Sequence, residues 1–171
     1  MIKKKTLSEI ALYTGTVKMP EGFAIEKDRL VKDILMYQFY DNVDYPFSRT
    51  YDRLQTYFRE FMQVEQNITL IEKSGYGNFY ERNETSKPQC KVDPVDLRES
   101  PDFVLLYGVE IDSDSCKIHI NYDDNRRKNR TWSVPLKTDD FIMFPADKRY
   151  YVENRKNTHL NFIQTITFTY V

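Results

Sequence analysis

Cysteine is scarce in this chain, and its scarcity excludes a good deal. Cys90 and Cys116 stand far apart and in no metal-ligand spacing. Neither a cysteine-based zinc site nor a disulfide framework is written into the sequence, and reduced thiols are expected. Glycine is nearly as rare, at five residues among 171. No Gly-rich phosphate loop or nucleophile elbow occurs, and so few glycines speak against a linker-rich or disordered chain. A surplus of charge is missing too: 25 Lys and Arg face 26 Asp and Glu. No whole-molecule field therefore draws the protein onto nucleic acid or an anionic membrane, and any charged contact has to be local. The opening Met1-Ile2-Lys3-Lys4-Lys5 is basic but no long apolar run follows it. Neither a secretory signal nor a membrane span is expected, and a cytoplasmic setting is. In that setting the Asn-x-Ser/Thr triplets at Asn67, Asn83 and Asn129 are chance occurrences.

What the chain does have is aromatic mass, with 13 Tyr and 11 Phe making up most of its 15% aromatic content. In a chain the length of one domain, 1–171, this favours strands and a dense core. Ile10 to Val17 reads as a leading strand closed by the turn signal Pro20-Glu21-Gly22. Two helical patterns follow. One is capped by Asp28 and carries Leu30, Val31, Ile34, Leu35 and Tyr37 to about Tyr40. The other starts near Ser48 with the stripe Tyr51, Leu54, Phe58, Phe61 and Met62. Both stripes predict packing onto a sheet.

From Ile68 the period changes to two. Strands are predicted over 68–73, 103–111, 117–122, 132–136, 141–144 and 160–171, with a long Pro-punctuated loop between Tyr80 and Asp102. The last strand sets Leu160, Phe162, Gln164, Ile166, Phe168 and Tyr170 against Asn161, Ile163, Thr165, Thr167 and Thr169, mostly apolar against mostly Thr and Asn, which predicts one buried face. Helices first and then many strands give an α+β, predominantly β chain whose strands form a sandwich with the helices covering one face. Asp123-Asp124-Asn125-Arg126-Arg127-Lys128-Asn129-Arg130 reads as a solvated hairpin loop, or else as a contact arm offering Arg126, Arg127, Lys128 and Arg130 to carboxylates or phosphates. Its Asp123-Asp124 pair matches no calcium loop. Tyr37, Phe39, Tyr40, Tyr45 and Phe47 read as core, or as an interface.

Three stretches taken in order carry a resemblance: Gly77-Asn78-Phe79-Tyr80, Leu105-Leu106-Tyr107-Gly108-Val109, and Asp140-Phe141-Ile142-Met143-Phe144-Pro145-Ala146. After two helices, they resemble the 2-oxoglutarate and Fe(II)-dependent oxygenases, especially the short prolyl-hydroxylase-like members found in phage genomes. The resemblance implies a double-stranded β-helix, or jelly roll, with a helical part over 1–66 and a β sandwich over 67–171. It also implies a chemistry, in which two His and one carboxylate hold iron and leave positions open for the cosubstrate and dioxygen. On this resemblance the His-x-Asp pair falls on Asn83-Glu84-Thr85, the distal His on Tyr150, and the basic partner of 2-oxoglutarate within Asn161 to Gln164. None of these positions holds the family's residue, and no Lys or Arg follows Lys156. The chain's two histidines, His119 and His159, offer little instead. His119-Ile120-Asn121 distantly mimics a His-x-Asp pair, but strand alternation turns His119 outward with Lys117 and Asn121. His159 lies in a polar turn. Both read as surface histidines.

A fold kept without its ligands is expected to serve as a surface. The expectation is a non-catalytic structural or assembly protein of a bacteriophage virion, a neck, tail or baseplate component. It would be made in the host cytoplasm, repeat as a homo-oligomer or ring, and contact other virion proteins. No membrane, sequence-specific nucleic acid or cofactor is expected, and no catalytic, cofactor-binding or metal-ligating residue. The rival reading is a 2-oxoglutarate/Fe(II)-dependent dioxygenase, a hydroxylase of prolyl or nucleobase substrates with unconventional ligands. A host-directed binding protein or inhibitor is a third.

Overall fold

Local chemistry places the two helices. In the computed structural model, which describes residues 3, 5, 10–19, 24–40, 48–125 and 128–171, α1 runs over Lys27–Phe39 and α2 over Arg49–Gln66. Ser48 caps α2 by accepting a hydrogen bond from the Tyr51 N–H at 3.3 Å, and Asp52 in the first turn complements the helix dipole. Asn67 ends the helix in the left-handed conformation, at φ 54°. The start of α1 differs from expectation: Glu26 occupies the cap without a side-chain bond, and Asp28 lies inside the first turn.

The strands among the described residues are β1 (Tyr13–Thr16), β2 (Leu70–Tyr80), β3 (Phe103–Glu110), β4 (Cys116–Asn125), β5 (Lys128–Leu136), β6 (Asp140–Pro145), β7 (Arg149–Asn154) and β8 (Asn161–Tyr170). They form two antiparallel sheets, one of five strands in the order β1-β6-β3-β8-β2 and one of three in the order β5-β4-β7. The mostly β double-stranded β-helix with two helices on one face is therefore observed as predicted.

Two apolar layers result. Leu30 and Ile34 of α1 and Tyr51, Leu54, Phe58 and Met62 of α2 pack on Leu105, Tyr107, Phe141, Ile166 and Phe168 of the large sheet. Between the sheets lie Val104, Leu106, Ile118, Ile120, Ile142, Phe144, Val152 and Ile163. A polar clamp ties helix to barrel: Lys27 Nζ donates to Asp139 Oδ2 at 2.6 Å, and the Tyr107 hydroxyl donates to Asp139 Oδ1 at 2.7 Å. Burial and then the Asp139 carboxylate push the Tyr107 phenol far above its ordinary range.

The structure departs from the sequence reading in three elements. β2 continues to Tyr80, well past its predicted end, because Gly75 and Gly77 are there for packing and not for a turn. A Cβ at Gly75 would fall on the Tyr51 phenol, and one at Gly77 on the Ile34 side chain. The missing side chains let both helices approach the sheet. β7 occupies a stretch for which no strand was predicted, with Tyr150, Val152 and Asn154 buried and Arg149, Tyr151 and Glu153 turned outward. Most of the predicted loop between Tyr80 and Asp102 is irregular, but it touches β7 through isolated bridges at Thr85↔Glu153 and Gln89↔Tyr150.

Of the predicted contact residues, Tyr37, Phe39 and Tyr40 are exposed at the end of α1, Phe39 stacking on Phe79 with centroids 5.9 Å apart. Tyr45, Phe47, Arg126 and Arg127 lie outside the described residues, as do the side chains of Asp123, Asp124 and Lys128.

The glycine packing is directly testable. Gly77→Ala is expected to lower stability by about 1–3 kcal/mol through overpacking against Ile34, read as a lower urea midpoint. An unchanged midpoint would show that α1 can retreat without cost.

Candidate functional site at the mouth of the barrel

The bridge pattern, more than spacing along the chain, decides which residues of the long loop meet β7. β7 begins at the same end of the sandwich at which the 85–89 segment finishes, so Gln89 lies opposite Tyr150. Asn83 to Thr85, the stretch assigned to the first ligand pair, lies at the other end of β7 beside Glu153 and Asn154. Its Asn83 Oδ1 accepts from the Lys156 N–H and its Glu84 carbonyl from the Asn154 N–H, both of which are loop-holding contacts. The residues brought against Tyr150 are Gln89, Cys90 and Lys91, which the sequence reading passed over. The signal that could have found them is the even spacing of Thr85 and Gln89 along a strand-like run.

Tyr150 is 1% exposed and packs edge-on to Phe144, with ring centroids 5.1 Å apart. Burial first, and then the neighbouring Tyr76, Tyr80 and Cys90, push its phenol far up, so it is neutral in the protein as described. The Tyr76 and Tyr150 hydroxyls interact without forming a well-aligned hydrogen bond, and both are buried with no other partner among the described residues. Lys91 places its ammonium 4.5 Å from the centroid of the Tyr76 ring and donates to Gln89 Oε1 at 2.9 Å. Cys90 is exposed and holds only long contacts, to the Ala146 carbonyl at 3.4 Å and the Val92 carbonyl at 3.9 Å.

Deeper in the barrel the inner face of β8 offers Asn161, Ile163, Thr165 and Thr167, all buried. Asn161 is spent on structure, donating to Ser115 Oγ at 2.9 Å and to Asn154 Oδ1 at 2.8 Å. No Lys or Arg stands on this strand. A cavity of about 790 Å³ lined by Lys18, Met19, Arg53, Tyr57 and Phe61 lies outside the barrel, against α2. The two histidines separate. His159 is exposed, as expected, and gives its backbone N–H to Asp112. His119 was expected to point into solvent. It does lie on the outer face of β4, but its side chain is only 12% exposed, stacked on Tyr151 and contacting Glu153.

No family model matches the chain, and no curated protein matches its sequence. Solved structures do match its fold. The epimerase SnoN from nogalamycin biosynthesis, described as non-heme and alpha-ketoglutarate dependent, superposes with a TM-score of 0.66 at 9% identity, covering 94% of this chain and 78% of that one. A prolyl-4-hydroxylase from Pseudomonas putida gives 0.62 at 9% identity, over 93% of this chain and 86% of that one. HygX from Streptomyces hygroscopicus, solved with nickel and 2-oxoglutarate bound, gives 0.61 at 9% identity, over 95% and 83%. The fold is that of the 2-oxoglutarate/Fe(II) oxygenase-like jelly rolls.

These neighbours correct the functional expectation. The non-catalytic virion building block was inferred from ligand positions counted along the chain. Two of these proteins sharing the fold are described as an epimerase and a hydroxylase and the third binds nickel and 2-oxoglutarate, and nothing connects the chain with a virion or with neck, tail or baseplate assembly. The correction does not restore the family's own ligand set. Among the described residues no group of three or more His, Cys, Asp and Glu could hold a metal. The family's two-imidazole, one-carboxylate triad does not fit the mouth. What stands there are two orphaned phenol oxygens, a thiol, an amide and an ammonium.

Two predictions follow from the chemistry of these buried groups. Burial pushes the Cys116 thiol up to about 12, so near neutral pH the folded protein is expected to give one thiol, Cys90, to a disulfide reagent and to release the second only on denaturation. Two fast thiols in the native state would contradict the barrel packing. Asp112 accepts from the N–H groups of His159 and Thr158 and from the Thr158 hydroxyl, and these hold its carboxyl below the ordinary value of 3.8. Its stabilising effect is complete above that value and is lost as pH falls through the lower folded one. Asp112→Asn is expected to weaken the protein at neutral pH and to flatten the acid limb of the stability profile. Parallel acid limbs for the two proteins would remove Asp112 from this role.

Proposed function

We propose that the chain is an enzyme of the 2-oxoglutarate/Fe(II) oxygenase class, a hydroxylase-type oxidoreductase, that works with an unconventional donor set at the mouth of its barrel. The observation carrying the reading is the pair of buried hydroxyls of Tyr76 and Tyr150, facing each other without a well-aligned hydrogen bond beside Cys90, at the crossing of the 85–89 segment with the start of β7. Buried polar atoms so poorly satisfied are rare, and a bound ion is one arrangement that would satisfy them. Phenolate oxygen and thiolate sulfur are both iron donors, and a bound cation stabilises their deprotonated forms even where burial alone keeps them neutral. Tyr150, Tyr76 and Cys90 would hold the metal. Iron there would supply the open coordination positions on which the class relies.

The chain's own residues have further work at this site. Lys91, fixed over Tyr76 and steadied by Gln89, is placed to hold the carboxylate of a 2-oxo acid, in place of the basic residue that β8 lacks. Phe144 and the apolar layer behind it keep water from the floor of the site.

The test is loading of the purified chain with iron. Ferric loading is expected to give a visible tyrosinate-to-iron absorption band that Tyr150→Phe weakens and that Tyr76→Phe together with Tyr150→Phe abolishes while the fold is kept. Ferrous loading with 2-oxoglutarate and oxygen is expected to release succinate. Lys91→Ala should raise the 2-oxoglutarate concentration needed by about tenfold, the worth of one charge-assisted hydrogen bond. A folded protein that shows neither band nor succinate overturns the proposal.

A further inference from the structure

The outer face of the three-stranded sheet carries an arrangement that the barrel mouth does not use. His119 of β4 has Ser133 of β5 as its direct cross-strand partner on one side and Tyr151 of β7 on the other. Its Nδ1 lies 2.7 Å from Ser133 Oγ. Its Nε2 lies 3.2 Å from Oε2 of Glu153, two residues further along β7. The imidazole is held flat against Tyr151, with centroids 4.6 Å apart and planes 16° from parallel. Arg155 Nε approaches the other Glu153 oxygen at 2.8 Å, fixing the carboxylate in turn. Ser133 is exposed, on the edge strand of its sheet.

Each contact settles something about the imidazole. A carboxylate beside Nε2 favours the tautomer with the proton on that nitrogen and leaves the Nδ1 lone pair facing the serine hydroxyl. The Nε2 contact is close but off the line of a good hydrogen bond. Catalytic hydrogen bonds in resting enzymes are often of this kind, and a charged imidazolium would tighten it. Hydroxyl, imidazole and carboxylate in series are the parts of an activated nucleophile, which is recognised by geometry and roles and not by order in the chain. Here the antiparallel register assembles them from three adjacent strands.

We propose that Ser133 is a nucleophile activated by His119 and that it accepts acyl groups from activated esters, of the aryl ester or thioester class. Glu153 is the positioning residue for the imidazole. In the step itself a bond forms between Ser133 Oγ and the acyl carbon as the hydroxyl proton passes to His119 Nδ1. The bond to the leaving oxygen or sulfur breaks, and that proton leaves on it. The product is an acyl-serine, which water can cleave by the same proton route, and no oxidant or reductant is needed. None of the cavities at Lys18–Glu65, Ile10–Tyr170 or Thr56–Leu70 includes Ser133. The open sheet edge therefore suits a small, reactive acyl donor.

The experiment uses the whole chain, free of metal, so it is independent of the iron chemistry proposed for the mouth. The protein is incubated with p-nitrophenyl acetate and, separately, with a fluorophosphonate probe, and the adducts are located by peptide mass mapping. A single adduct on Ser133 is expected, absent in Ser133→Ala and in urea-unfolded protein. His119→Gln should slow labelling by about a hundredfold, the usual worth of a positioned general base. Glu153→Gln should slow it less, with the thermal midpoint recorded for each variant. Thr131→Ala, which removes a neighbouring hydroxyl of the same face that bonds Asn121, should label at the wild-type rate. Adducts scattered over lysines and tyrosines, no adduct on a folded protein, or equal Ser133 labelling in folded His119→Gln would each overturn the proposal.

Discussion

From Asn161 to Phe168 the strand β8 has no side turned to water, and both apolar layers depend on it. One face sends Phe162, Ile166 and Phe168 under the helices, while the other sends Ile163 between the sheets. Its backbone is saturated on both edges, by β2 and by β3. Every polar side chain on such a strand has to find its partner inside the protein, because water cannot reach it. The partners are there: Gln164 donates to the Tyr76 carbonyl, Thr167 meets Ser74, and Asn161 joins Ser115 and Asn154.

That constraint also explains how the strand was misjudged. Its alternation of apolar residues with Thr and Asn reads as one wet and one dry face, because in most antiparallel sheets such residues face solvent. The sequence has no way to announce that a second sheet will cover them. The helices were more legible, since Ser48 and the stripe from Tyr51 to Met62 act within a few residues of one another. The work of Gly75 and Gly77 was illegible for the opposite reason. Their role is set by Tyr51 and Ile34, which approach only in three dimensions.

The candidate site was the least legible part, and the difficulty was one of register. Counting along the chain from the Gly77 stretch led to Asn83 and Thr85, which precede by six and four residues the Gln89 that strand pairing sets opposite Tyr150. Tyr150, the position matched to the distal His on the resemblance, lies buried in β7, just after the short Phe-Pro turn. The Ser133, His119 and Glu153 series was invisible for a related reason. Its members belong to three strands, and one of these, β7, was not predicted at all.

The place of β8 also bears on the order of events during synthesis. β2 is made before β8, yet its only neighbour in the sheet among the described residues is β8, and β3 receives its second neighbour from the same strand. Until residues 161–170 have left the ribosome, β2 and β3 are separated by a gap one strand wide, with an unpaired edge on each side of it. The α1–α2 layer meanwhile has only part of its floor. Until then a nascent chain carries open, aromatic-rich strand edges, the condition that holding chaperones relieve. Closure is then a single insertion, in which β8 completes the sheet and seals both apolar layers together.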